Sequence, residues 1–166
     1  MIALKIIDIK DFMNKLLIGE VFDPFSLIEA NITTFNTFTV SGKLHLSFFD
    51  SDTKASLIEK STEYSLWHDV KPYCFSIMRG RRTPLSFKII FELSHNQIQS
   101  LLGSENTAVN TSIHDFYLNI QYKNQELLCT TGVSYTSFSL DKHLEHLWDD
   151  TLLSFLSGHH ISCEKL

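Results

Sequence analysis

Basic side chains are scarce: Lys and Arg number 14 of 166 residues against 19 Asp and Glu, a formal net charge of -5. A surface of that sign cannot neutralise a long row of phosphates, which excludes general polyanion binding and confines any nucleic-acid contact to a local patch. Cysteine is equally sparse. Cys74, Cys129 and Cys163 are odd in number and widely separated, which is neither a disulfide framework nor a metal-ligand spacing, and free thiols point to a cytoplasmic protein in a reducing compartment. Long apolar runs are missing too. The stretches LLIGEVF and LSFKIIFEL are interrupted by charge and fall far short of the roughly 20 residues a bilayer span needs, so no membrane partner is expected. The first segment, MIALKIIDIKDFMNK, lacks the basic start, apolar core and small-residue cleavage site of a secretory signal and reads as part of the fold.

What is present is the composition of a globular chain, 43% hydrophobic and 20% charged, at a length that suits a single domain over residues 1–166. Ala3 to Ile7 alternate as a strand. Ile9, Phe12, Met13, Leu16 and Leu17 then repeat at helical spacing, with Asp8 placed to cap and Gly19 placed as a left-handed stop. Phe25–Thr34 and Thr37–Leu46 alternate as a hairpin. Asp50 to Ser65 reads as a long connection with a short helix around Ser56–Lys60. Val70, Tyr73, Cys74, Ile77 and Met78 mark a second helix, whose start Pro72 and Asp69 compete to define. After Pro84, LSFKIIFEL is a half-buried strand. Ser94 and Gln97 form a capping box for a short helix ending at Gly103, and a loop Ser104–Ser112 leads to a second hairpin turning at Lys123, Asn124 and Gln125. Leu144, Leu147, Trp148, Leu152, Phe155 and Leu156 line the last helix, which stops near Gly158.

Residues 1–46 and 84–135 therefore share the order strand, helix, hairpin. The fold expected is α+β: a single, mainly antiparallel sheet built from two strand-helix-hairpin units, with further helices packed on it. That order resembles the half-domains of DNA sliding clamps, which line a DNA channel with basic helices, yet SHNQIQSLL carries no Lys or Arg. The stretches MIALKIIDIKDFMNKLL, FSLIEANITTFNTFTVSG, RGRRTPLSFKIIFELS and CTTGVSYTSFSLDKHLEHLWDD resemble a family of uncharacterised proteins of anaerobic Gram-positive bacteria, classed as a domain of unknown function. The resemblance implies a bacterial, cytoplasmic, single-domain protein and brings no activity or cofactor with it.

The sharpest local feature is Arg79-Gly80-Arg81-Arg82-Thr83-Pro84. Guanidinium forks suit phosphate or carboxylate, and Trp67 stands near enough in sequence to offer a stacking face, so Arg79, Arg81, Arg82 and Trp67 form a candidate anion or RNA site. The competing reading is structural: cations at a helix C-terminus complement its dipole. A concave pocket between Trp67, Arg81 and the second hairpin would favour the first. His68 and Asp69 could supply acid and base there. His143, His146 and Asp150 share a helix face and could converge on a metal, but a fourth ligand is missing and solvated polar-face residues explain them, Glu145 and Asp149 included. The tail His159-His160-Ile161-Ser162-Cys163 holds borderline-soft metal ligands, yet terminal residues are commonly disordered and such ligands adventitious. Asp50-Ser51-Asp52 fails as a calcium loop, with Ala55 where glycine is needed and Ser61 where glutamate is needed. No phosphate loop, nucleophile elbow or zinc-protease motif occurs. No metal and no cofactor is expected. The function expected is noncatalytic: a binding or adaptor protein with an unknown protein partner, RNA binding through the arginines being the alternative.

Overall fold

The computed structural model describes residues 1–102, 113–138, 140 and 142–166; Gly103 and the loop Ser104–Ser112 lie outside them. Strand β1 (Ala3–Ile6) leads into helix α1 (Ile9–Leu17), where the Asp8 carboxylate accepts the Asp11 amide at 2.9 Å. Gly19 is not left-handed. Its amide and that of Ile18 both donate to the Asn14 carbonyl, and a Cβ there would make a tight contact, 3.2 Å, with the Lys15 backbone.

Strands β2 (Ser26–Thr33) and β3 (Thr37–Ser41) form the first hairpin, shorter than the alternation suggests. β3 ends at Ser41 because Gly42 passes so close to β2 that a Cβ would overlap the Leu27 carbonyl. After a short 3-10 turn (Leu46–Phe48), α2 (Ser51–Glu59) starts five residues before the expected helix, since Asp50 caps it by accepting the Thr53 amide at 2.7 Å. No α2 residue is buried, so the helix carries no apolar stripe for periodicity to detect. Helix α3 (Trp67–Met78) also begins early. Pro72 sits inside it on an exposed face, and the missing amide costs a bond to the His68 carbonyl, which lies at the solvent side.

Beyond β4 (Ser86–Glu92), helix α4 (His95–Leu102) opens with a reciprocal capping box: the Ser94 amide donates to Gln97 Oε1 and the Gln97 amide to Ser94 Oγ. Strands β5 (Ile113–Lys123) and β6 (Glu126–Tyr135) are joined by two residues alone, Asn124 and Gln125, with φ of 53° and 63°, the left-handed pair of a type I′ turn. Helix α5 (His143–Gly158) is followed by a strand that periodicity does not reveal, β7 (Cys163–Lys165), which pairs with β1. The tail is thus ordered, pinned by buried Ile161 and by the hydrogen-bonding edge β1 leaves open.

The seven strands form one sheet, entirely antiparallel, in the order β3-β2-β4-β5-β6-β1-β7. The two strand-helix-hairpin units are interleaved: β4 lies beside its own hairpin, whereas β1 crosses the sheet to pair with β6. One face is buried. Ala30, Ile89, Ile120, Cys129 and Leu4 form a row across five strands, all inaccessible to solvent, and Phe12, Leu16, Trp67, Leu152 and Leu156 pack into the same core. The neighbouring row on the opposite face is polar, with Asn31, Lys88 and Gln121 in register.

This orientation makes two residues of β4 diverge. Phe91→Ala should cost about 3–5 kcal/mol in a denaturant titration, whereas Lys88→Ala, on the polar face, should change stability by less than about 0.5 kcal/mol. Equal costs would contradict the assignment of faces.

Candidate functional site

Helix α3 decides which sequence-predicted residues can meet. Trp67 occupies its first turn and Arg79 caps its end, so the 12-residue helix holds them about 18 Å apart. Trp67 is fully buried: its Nε1 donates to the Leu16 carbonyl at 2.8 Å and its ring meets Phe91 edge-on at 5.1 Å. It offers no stacking face, and the expected pairing of Trp67 with the arginines is corrected accordingly. Arg79, Arg81 and Arg82 are exposed, with no ion pair to any described residue. Leu85 donates its amide to the Thr33 carbonyl, which sets the segment beside the first hairpin turn, where the Phe35 ring is 87% exposed.

His68 and Asp69 stand at the opposite end of α3 from the arginines, which removes them as an acid-base pair for that cluster. His68 Nδ1 lies 3.0 Å from Asp23 Oδ2, and Lys71 Nζ donates to Asp23 Oδ1 at 2.6 Å and to the Gly19 carbonyl at 2.8 Å. Burial alone would raise the Asp23 carboxyl, but hydrogen bonds and charge from Lys71 and His68 outweigh it and hold it below the usual carboxylate range. The pair ties the chain before β2 to α3. Near α5, among the described residues no cluster of His, Cys, Asp or Glu has metal-site geometry. Asp149 is no polar-face filler: it is buried and accepts from Thr131 Oγ1, which in turn accepts the Ile2 amide at 2.9 Å. The signal for it was Thr131 itself, a polar residue two positions from Cys129 on the core side of β6.

Sequence reasoning missed a concavity at the other end of α3. A cleft of about 860 Å³ opens between the α2–α3 connection and the ends of β4 and β5, and the first turn of α3 also lines it. Glu63, Asp69, Glu92 and Asp115 contribute four carboxylates, with Lys60 the one Lys or Arg among the described lining residues. Tyr64 and Tyr117 also line it. Tyr117 donates to Asp115 Oδ2 at 3.3 Å, and its phenol is pushed well above its ordinary value by burial and then by the charges of Asp115 and Glu92, so it stays a proton donor. Through Pro24, Leu93 and Asn96 the cleft continues into an apolar groove of about 450 Å³ walled by Phe25, Trp148 and Phe155. Lys43 already stands 3.6 Å from Glu63 and 5.2 Å from the centre of the Tyr64 ring, so this end of the trough is one that takes a cation, by charge and aromatic face, while the other can take an apolar side chain.

Fold and trough together define an antiparallel α+β domain with a two-part groove at one end of its sheet. Residues 15–164 match DUF5721, a family of unknown function, and the chain belongs to that family. Neither the curated proteins nor the solved structures contain a match to it.

The wall of the groove at Pro24 and Phe25 depends on the Asp23–Lys71 pair. Lys71→Met should destabilise the protein by about 1–3 kcal/mol by leaving the Asp23 carboxylate with the exposed His68 as its one side-chain partner among the described residues. Because Asp23 titrates below its unfolded value when folded, its contribution is complete above about pH 4 and is lost as the pH falls through the lowered pKa. Acid unfolding followed by circular dichroism should therefore be shallower in the variant; unchanged stability and an unchanged acid limb would contradict this role.

Proposed function

We propose that the protein is a noncatalytic binding module of the bacterial cytoplasm, which captures a partner protein through an exposed segment carrying basic and apolar side chains. The observation that carries this reading is the continuity of the acidic cleft with the apolar groove. Carboxylates in a partly desolvated cleft hold Lys or Arg by charge-assisted hydrogen bonds, and the apolar groove adds burial of a neighbouring side chain. The cysteines support binding over nucleophilic chemistry: burial raises the Cys74 thiol to about 11 and pushes Cys129 and Cys163 up as well, so thiolates are scarce at neutral pH. Free thiols also fit a reducing compartment. Calorimetry with a short peptide bearing an Arg and a Leu should show binding that weakens with salt and drops about tenfold in Asp115→Asn. Equal binding of the peptide with Glu in place of Arg would overturn the reading.

A second reading, RNA capture, draws on the three exposed arginines and the exposed Phe35 ring at their end of the sheet. It requires single-stranded RNA to bind with an affinity that falls with salt, and Arg81→Ala with Arg82→Ala to lower the salt slope by about one per phosphate contact. A complex insensitive to that substitution would remove it.

A further inference from the structure

The segment from Arg79 to Leu85 has the chemistry that the trough is shaped to take. It presents Arg79, Arg81 and Arg82, followed by Leu85 at 72% exposure. Its two ends are tied, Arg79 donating its amide to the Phe75 carbonyl at the end of α3 and Leu85 to the Thr33 carbonyl at the end of β2, and between them Gly80, at φ of 148°, has open space around the position of a Cβ, so the chain stands clear of the body there. Cations first and an exposed aliphatic side chain a few residues later is the order that an acidic cleft running into an apolar groove would accept.

The same molecule cannot satisfy itself. Helix α3 has Asp69, a cleft residue, in its first turn and Arg79 at its end, and the ten-residue rise between them separates them by about 15 Å. We infer that the groove of one copy is occupied by the Arg79–Leu85 segment of a second copy. The contact is heterologous: each molecule offers a basic segment from one end and an acidic groove at the other, so association proceeds head to tail into a chain, or into a ring if the rotation closes. The inference rests on the reading of the groove given above and names its occupant. The net charge of -5 opposes association of like copies at long range, so the attraction must be short-ranged and local.

Two charge-reversed proteins test it. One carries Arg81→Glu with Arg82→Glu; the other carries Glu63→Lys with Asp69→Lys, both exposed positions whose reversal spares the core. Sedimentation of the wild type should show mass rising with concentration, and the effect should shrink in about 1 M salt, where the screening length is about 3 Å. Each reversed protein alone should stay monomeric while keeping the wild-type circular dichroism spectrum and a cooperative melt, lowered by a few degrees at most through the lost helix-end charges, and an equimolar mixture should associate again, because every groove then faces a segment of opposite charge. Leu85→Ser should weaken wild-type association by about tenfold or more, the worth of one buried Leu side chain. A wild type that is monomeric at every concentration overturns the inference, as does association that survives either reversal. If the wild type is monomeric but still binds the Arg- and Leu-bearing peptide in its groove, self-recognition fails alone; if it does neither, the groove reading fails with it.

Discussion

The indole of Trp67 is the joint on which the layout depends. A fully buried ring that donates to the Leu16 carbonyl fixes α3 against α1, and the same ring meets Phe91 of β4. The backbone reinforces it: Trp67 donates its amide to the Phe25 carbonyl, Leu27 donates to Ser65, and Ser65 donates to Gly42. The chain entering α3 is thus stitched between the start of β2 and the bend after β3. An indole left without its acceptor would incur the desolvation of a buried donor as well as a packing loss, so the helix start is closely specified. From that joint the rest follows, because a helix fixed at its first turn carries its last turn to a determined place.

That place gives the molecule a charge axis. Asp69 lies in the first turn of α3 and Arg79 at its end, each sign on the side that complements the helix dipole. Glu63, Glu92 and Asp115 add to the acidic end, while Arg81 and Arg82 extend the basic one. The structural explanation of the arginines and a binding role for them are therefore compatible. Cations that stabilise a helix end still present their guanidiniums to solvent, and Arg79, Arg81 and Arg82 are all exposed.

The fold was legible where the signal is local. Asp8 and the Ser94–Gln97 pair announce helix starts through hydrogen bonds three residues long, and the alternation of β4 matches its buried Phe87, Ile89 and Phe91. The start of α2 was hidden because no residue of it is buried, and β7 because a three-residue strand has no periodicity to display. The crossing of β1 to β6 is a long-range pairing that no local pattern encodes. Trp67 was misassigned by proximity to the arginines along the chain, although its spacing held the answer: Trp67, Lys71, Cys74 and Met78 recur at helical intervals and are the buried residues of α3. The groove was illegible for a different reason. Pro24, Tyr64, Leu93, Tyr117 and Phe155 come from five separate parts of the chain and converge only once the sheet is assembled.

The central claim, that this groove seats a basic segment followed by an apolar side chain, is tested most directly by nuclear magnetic resonance of nitrogen-labelled protein titrated with a free peptide of the sequence from Arg79 to Leu85. The account predicts a contiguous set of shifted amides at Tyr64, Leu66, Asp69, Asn96 and Tyr117, reaching Thr151 across the apolar part. Shifts confined to the polar face around Asn31, Lys88 and Gln121, or no shifts at all, would contradict it.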